Sequence, residues 1–267
     1  SSLWGRAIVS KACSRALETD RNYIQMKTAV CFAGTGRAFQ YTYDSIQHDL
    51  IESLQDCDTF FMLPTNPHAY KIGDLLDSKN ITKVIVEDES DVDQTNLRFQ
   101  PNWPGRANSS HQIYLKMLKS RKRCGEILTQ YCKDTGTSYD RVIFSRLDVR
   151  YINFPPGSLD FYDLTKLHVP DFHNFSSVQG NGYNDRFALG SMDNMITYFN
   201  AFDKIEEFCL KGGHLHAESY LHWYLTTSNV QVRKCPIRFR RMRADGSRSE
   251  GDNRLEDTPF VQLRDDL

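Results

Sequence analysis

The 267-residue sequence has no run of about 18 apolar residues, so no membrane-spanning helix is expected within it. Nor does either charge dominate: 33 Lys and Arg face 34 Asp and Glu, a formal net charge of -1. Bulk binding to nucleic acid or an anionic membrane needs surplus Lys and Arg, so neither partner is expected. The seven cysteines (Cys13, Cys31, Cys57, Cys124, Cys132, Cys209, Cys235) include no C-x-x-C pair. Zinc ribbons and thioredoxin-type redox motifs are therefore excluded. An odd count leaves at least one free thiol, and Cys31, set in an apolar run, reads as a small buried hydrophobe. No internal repeat and no linker divides the chain. One α/β domain is expected, long enough to bury a substantial core.

The chain starts at Ser1 rather than Met, which reads as a processed or excised piece from which a leader or anchor can have been removed. Sequons start at Asn80, Asn108 and Asn174, close to the number chance supplies, and carry little weight for secretion. Two locations stay open: the cytoplasm, or the soluble catalytic domain of a secretory-pathway enzyme.

Residues 1–26 read as a modest helix or a leader, 28–235 as the core and 236–267 as a C-terminal segment. Thr28 to Ala33 is a continuous apolar run ending at Gly34, the pattern of a strand buried on both faces. Tyr43, Ile46, Leu50, Ile51 and Leu54 follow at helical spacing. Strands over 59–63 and 83–86, with a second helix between them, complete a strand–helix alternation that predicts a mostly parallel sheet flanked by helices. Residues 88–110, with Trp103, read as a mobile polar loop, and the acidic run Glu87 to Asp93 as solvated. A long helix over 111–132, a strand over 141–144, a loop with Gly180, Gly182 and Gly190, and helices near 192–210 and 215–226 follow.

Ligands of open α/β sheets bind at the carboxyl ends of the strands, where three segments stand out. Gly34-Thr35-Gly36-Arg37 follows the first strand; its glycines permit close approach of a phosphate, and Arg37 can bind a diphosphate in bidentate fashion. The same residues also suit a plain strand-to-helix turn. The Rossmann fingerprint fails because Phe39 occupies its third glycine, and there is no Gly-Lys-Ser/Thr for a Walker loop. Arg146-Leu147-Asp148 closes the 141–144 strand. Asp148 suits a hard cation such as Mg²⁺ or Mn²⁺, and the competing reading is a structural Arg146–Asp148 pair. Within Gly182 to Gly190, Asn184 and Asp185 can face a cleft, Asp185 as a proton acceptor, or else form an Asx-turn or helix cap.

The ordered trio of segments 29–37, 140–149 and 184–190 resembles the GT-A glycosyltransferases, a single-domain Rossmann-like fold, in a microbial, algal and viral-like branch. The resemblance runs from about residue 28 to 235. It implies transfer of a sugar from a UDP- or GDP-linked donor to a glycan hydroxyl, assisted by Mn²⁺ or Mg²⁺. Gly34, Thr35, Gly36, Arg37, Arg146 and Asn184 would hold the donor, Asp148 the metal, and Asp185 would be the catalytic acid or base, with Glu218 as its alternative. Arg146 departs from the pattern by replacing the first aspartate of the Asp-x-Asp motif, which weakens the expected metal dependence because a guanidinium can itself neutralise a diphosphate.

Two further features stay open. His214 or His216 can supply a late metal ligand, although His216 and Glu218, two residues apart, should face different sides of a helix. The basic stretch Arg233 to Arg243 reads as a solvated strand and tail, with a loop folding over a diphosphate as the competing reading. Rival functions are a nucleotide-dependent enzyme of another class, such as a methyltransferase, and a non-catalytic nucleotide-sugar or carbohydrate binder.

Overall fold

A computed structural model describes residues 26–54, 56–65, 72, 81–100, 107–153, 158–175 and 181–249. The expected N-terminal helix or leader up to residue 25, Trp103, nearly all of the helix between the second and third strands, and the end of the C-terminal segment lie outside them. Chain order runs β1 (Lys27–Ala33), α1 (Phe39–Ser45) with a π-helical turn over Ile46–Ile51, β2 (Asp56–Pro64), β3 (Ile81–Glu87) and α2 (Ala107–Thr135). Then come β4 (Arg141–Arg146), β5 (Val149–Asn153), β6 (Leu167–Pro170), β7 (Phe187–Gly190), α3 (Met192–Phe199), α4 (Ile205–Leu210), α5 (Ala217–Thr227), β8 (Val232–Cys235) and β9 (Arg238–Arg241).

Seven strands form one sheet in the order β3-β2-β1-β4-β7-β6-β8. β1, β2, β3 and β4 are mutually parallel, and β7 pairs antiparallel with both β4 and β6. The protein is thus α/β with a mostly parallel mixed sheet flanked by helices, compatible with a Rossmann-like fold. Alternation within β1 shows why its run is unbroken. Ala29, Cys31 and Ala33 join the core beneath α2, while Val30 and Phe32 join the core beneath α1. Both faces are covered, and Ala29 to Ala33 are all apolar and buried. Phe32 stacks on Phe61 of β2 at 4.8 Å between ring centroids, and burying each such ring stabilises by about 1.5–3 kcal/mol.

The helical spacing after β1 is matched, since Ile46, Leu50, Ile51 and Leu54 are all buried. Three expectations change. The described part of the 88–110 loop is pinned rather than loose: Phe99 bridges to Leu215, and Val92 and Leu97 pack on the core. Its acidic run lies along α2, with Glu87 bonded to Arg123 and Asp91 to Lys116. The glycine-flanked segment is a loop only in its first half, because Phe187–Gly190 is β7. The 192–210 helix is broken by a 3-10 turn over Asn200–Lys204.

This topology sets the site. From β1 the chain moves outward to β2 and β3, then returns to place β4 on the other side of β1. The order therefore reverses between β1 and β4, the place in open α/β sheets where ligands bind beyond the carboxyl ends of the strands.

Candidate functional site

Ala33 at the end of β1 lies in register with Arg146 at the end of β4, so two of the sequence segments leave the sheet side by side. Beyond Ala33, Gly36 has φ +68°, a left-handed conformation that glycine adopts without a Cβ penalty. Its carbonyl accepts the Phe39 N–H at 3.0 Å and opens α1. Thr35 and Arg37 are exposed, with Arg37 Nε donating to Thr35 Oγ1 at 3.1 Å.

At the end of β4 the chain turns through Leu147, which is buried and whose carbonyl accepts the Thr42 hydroxyl of α1 at 2.7 Å. Across this turn Arg146 grips Asp148 in bidentate fashion, Nε to Oδ1 at 2.9 Å and Nη2 to Oδ2 at 2.6 Å. Among the described residues the third nitrogen, Nη1, donates only to the Met117 thioether at 3.6 Å, a weak acceptor. Burial pushes the Asp148 carboxyl upward, but Arg146, Arg241 and Arg186 together hold it below the usual range.

β7 runs antiparallel to β4, so the residues before β7 return to the same edge. Ser145 pairs with Phe187, and Arg146 N–H donates to the Arg186 carbonyl at 3.1 Å. Asn184 is buried, its Oδ1 accepting the Arg186 N–H at 3.0 Å and its Nδ2 donating to the Phe172 carbonyl at 2.9 Å. That is an Asx-turn, so the amide shapes the loop that carries Asp185. Asp185 is only 5% exposed. Burying a carboxylate in this way is costly without compensating charge.

α5 supplies the fourth part. Tyr183 N–H donates to the Glu218 carbonyl at 3.0 Å, tying the Asp185 loop to the first turn of α5. A side chain at Gly182 would meet the Phe175 carbonyl at 2.0 Å and Glu218 Cβ at 2.9 Å, so only glycine permits this approach. Glu218 is buried, and burial first, then the Asp185 charge, raises its pKa to about 7. His216 precedes the helix with extended backbone (φ -147°, ψ 131°), and its Nε2 reaches Glu218 Oε2 at 3.6 Å. The expected separation of these two side chains is corrected: the helical-face rule fails because His216 is not in the helix. Burial lowers the His216 pKa against the opposing pull of Asp185. His214 is half-buried just before Leu215.

The basic stretch divides. Arg233 and Lys234 are exposed as expected, but Arg238 and Arg240 are buried and Arg241 is half-buried. β9 pairs with β5, and Met242 N–H donates to the Asp148 carbonyl at 2.8 Å, which carries Arg241 to the end of β4. Burial first, then the Arg186, Arg146 and Arg243 charges, lowers the Arg241 pKa to about 10. Behind α5 lies a cavity of about 360 Å³, lined by Ser219, His222, Trp223, Thr226 and Thr227 among others.

The family described as Domain of unknown function (DUF7796) matches residues 23–244. The chain belongs to this family. The comparison with curated proteins found no match. The DUF7796 match takes in every strand of the sheet and every residue of the site, from Gly34 to Arg241.

Sequence reasoning gave no individual role to Arg186, which stood inside the third segment, or to Arg121, and took Arg241 only as part of a stretch read as solvated, with a loop folding over a diphosphate as the competing reading. Arg121 of α2 is 1% exposed, its guanidinium 4.3 Å from the centre of the Tyr198 ring. Its three nitrogens find no hydrogen-bond acceptor among the described residues. The usable signal was its place on the apolar stripe of α2, three residues after buried Leu118 and three before buried Cys124.

Proposed function

We propose that the chain is a GT-A-type glycosyltransferase moving a sugar from a UDP- or GDP-linked donor to a glycan hydroxyl. The observation that supports this reading is that Gly34–Arg37 and Arg146–Asp148 follow the adjacent carboxyl ends of β1 and β4, with Asp185 and Glu218 at the same edge. The exposed Gly34–Arg37 loop is suited to the nucleotide diphosphate. In a direct displacement the acceptor hydroxyl gives up its proton as the glycosidic bond breaks. A general base works best with a pKa near the working pH. Glu218, at about 7, meets that condition, and Asp185 is the charge that helps hold it there. The acid–base role expected first for Asp185 thus passes to Glu218, with Asp185 as its partner. The cavity behind α5, with the Trp223 ring and the Ser219, Thr226 and Thr227 hydroxyls, has the mixed aromatic and polar lining that suits a sugar of the acceptor.

The resemblance implies Mn²⁺ or Mg²⁺, and the residues present do not fit one. Both Asp148 oxygens are held by Arg146, and no group of three or more potential ligands lies together among the described residues. The same Arg146–Asp148 pair favours a second reading, a binder of nucleotide sugars without turnover.

The test is calorimetric titration of UDP and GDP into the parent and Arg37→Ala. Loss of a charge-assisted hydrogen bond should weaken diphosphate binding by about 1.5–3 kcal/mol. A folded Arg37→Ala protein that binds both nucleotides as the parent does would refute the placement.

A further inference from the structure

Resting on that reading, we propose that the cavity behind α5 is an acceptor subsite selective for an acidic sugar, with Lys211 taking the carboxylate and Trp223 the face of the ring. The cavity adjoins the candidate base. Ser219 in its lining follows Glu218 directly. Asn181, also in the lining, precedes Gly182, whose backbone lies so close that a Cβ there would be 2.9 Å from Glu218 Cβ. An acceptor seated here therefore meets the edge that holds Glu218 and Asp185.

α5 presents much of the lining as one face, since Ser219, His222, Trp223 and Thr226 fall at i, i+3, i+4 and i+7. Trp223 is held by Phe208 of α4 at 4.8 Å between ring centroids and by Tyr220 at 6.0 Å. It stays only half-buried, and the negative face of an indole suits the C–H face of a pyranose. The exposed Thr226 and Thr227 put hydroxyl oxygens beside it that can accept from sugar hydroxyls.

Charge decides the kind of sugar. Among the described residues no Asp or Glu lines the cavity, whereas Lys211 and His222 do. Lys211 immediately follows α4 and sets its Nζ 5.7 Å from the centre of the Trp223 ring, so an ammonium and an aromatic face converge. The Glu207 carboxylate is divided between two lysines, Lys204 and Lys211, at 2.7 Å each. Lys211 keeps donors for a second partner, because an ammonium has three. Lys234 of β8 adds positive charge near His222, whose pKa is lowered by burial first and then by that lysine. An aromatic platform, hydroxyls and surplus positive charge match a carboxylated sugar better than a neutral one.

The test is calorimetric titration of the full chain with oligosaccharides ending in galacturonate, glucuronate or a sialic acid, each run beside its methyl ester. The ester keeps the ring and removes the charge. Every titration is run without nucleotide and with UDP or GDP present. The proposal expects at least one acid to bind roughly 10-fold more tightly than its ester, with an affinity that falls as salt rises. Lys211→Gln, at a side chain 61% exposed and so tolerant of change, should abolish that preference and leave ester binding as it was. Equal binding of acid and ester, binding of none of the acids, or an undiminished preference in Lys211→Gln would overturn the proposal. Titrating UDP and GDP alone separates the two readings. Nucleotide binding without acid-selective sugar binding overturns this inference only, whereas acid-selective binding without nucleotide binding removes the acceptor role together with the transferase reading.

Discussion

Glu218 links a single carboxyl group to the stability of the whole chain. Its pKa rises from 4.5 to about 7 on folding, so between these values the folded state holds a proton that the unfolded state has lost. Stability should therefore fall as pH rises through that window, by up to about 3 kcal/mol at 1.36 kcal/mol per pKa unit. Glutamine removes the titration. Glu218→Gln should melt like the parent near pH 5 and above it near pH 8, as followed by thermal denaturation. Parallel melting profiles across that range would show that Glu218 does not carry the shift. The closeness of His216 to Glu218 was hidden in the sequence because spacing rules assume both residues are helical, whereas His216 is extended. Arg121 was missed for another reason: its place on the apolar stripe of α2 signals burial but does not show the Tyr198 ring that it packs against.

Elements explain how the candidate residues are held. The Asn184 Asx-turn ends the loop and starts β7, and Asn184→Ala would strand the Arg186 N–H and the Phe172 carbonyl. Chemical denaturation should register a loss of about 1–3 kcal/mol. A variant as stable as the parent would mean the turn forms without that side chain. The β1–α1 turn makes a second demand, because Gly36 sits at φ +68°. Gly36→Ala should cost roughly 1–2 kcal/mol for left-handed backbone, again read by denaturation, and an unchanged midpoint would contradict the strain. Continuous apolar runs made β1, β2 and β4 legible, since strands covered on both faces are apolar through their centres. β7 and β9 were not. A four-residue strand preceded by Asn and Asp carries loop chemistry in its sequence, and alternating arginines look solvated until β5 and the end of β4 enclose them.

At the scale of the whole molecule, the sheet order brings together segments more than a hundred residues apart. Gly34–Arg37, Arg146–Asp148 and Asp185 meet because β4 returns beside β1 and β7 runs back beside β4. The order of the segments along the chain was readable; their meeting at one edge required the topology. The proposed activity is sugar transfer from a nucleoside diphosphate donor with Glu218 as the base. The most direct measurement is release of free UDP or GDP from UDP- and GDP-linked sugars supplied with glycan acceptors, comparing the parent with Glu218→Gln. The expected result is release by the parent and a fall of about 10²–10⁴-fold in the variant, with donor affinity retained. No release from any donor, or equal rates in parent and variant, would contradict it.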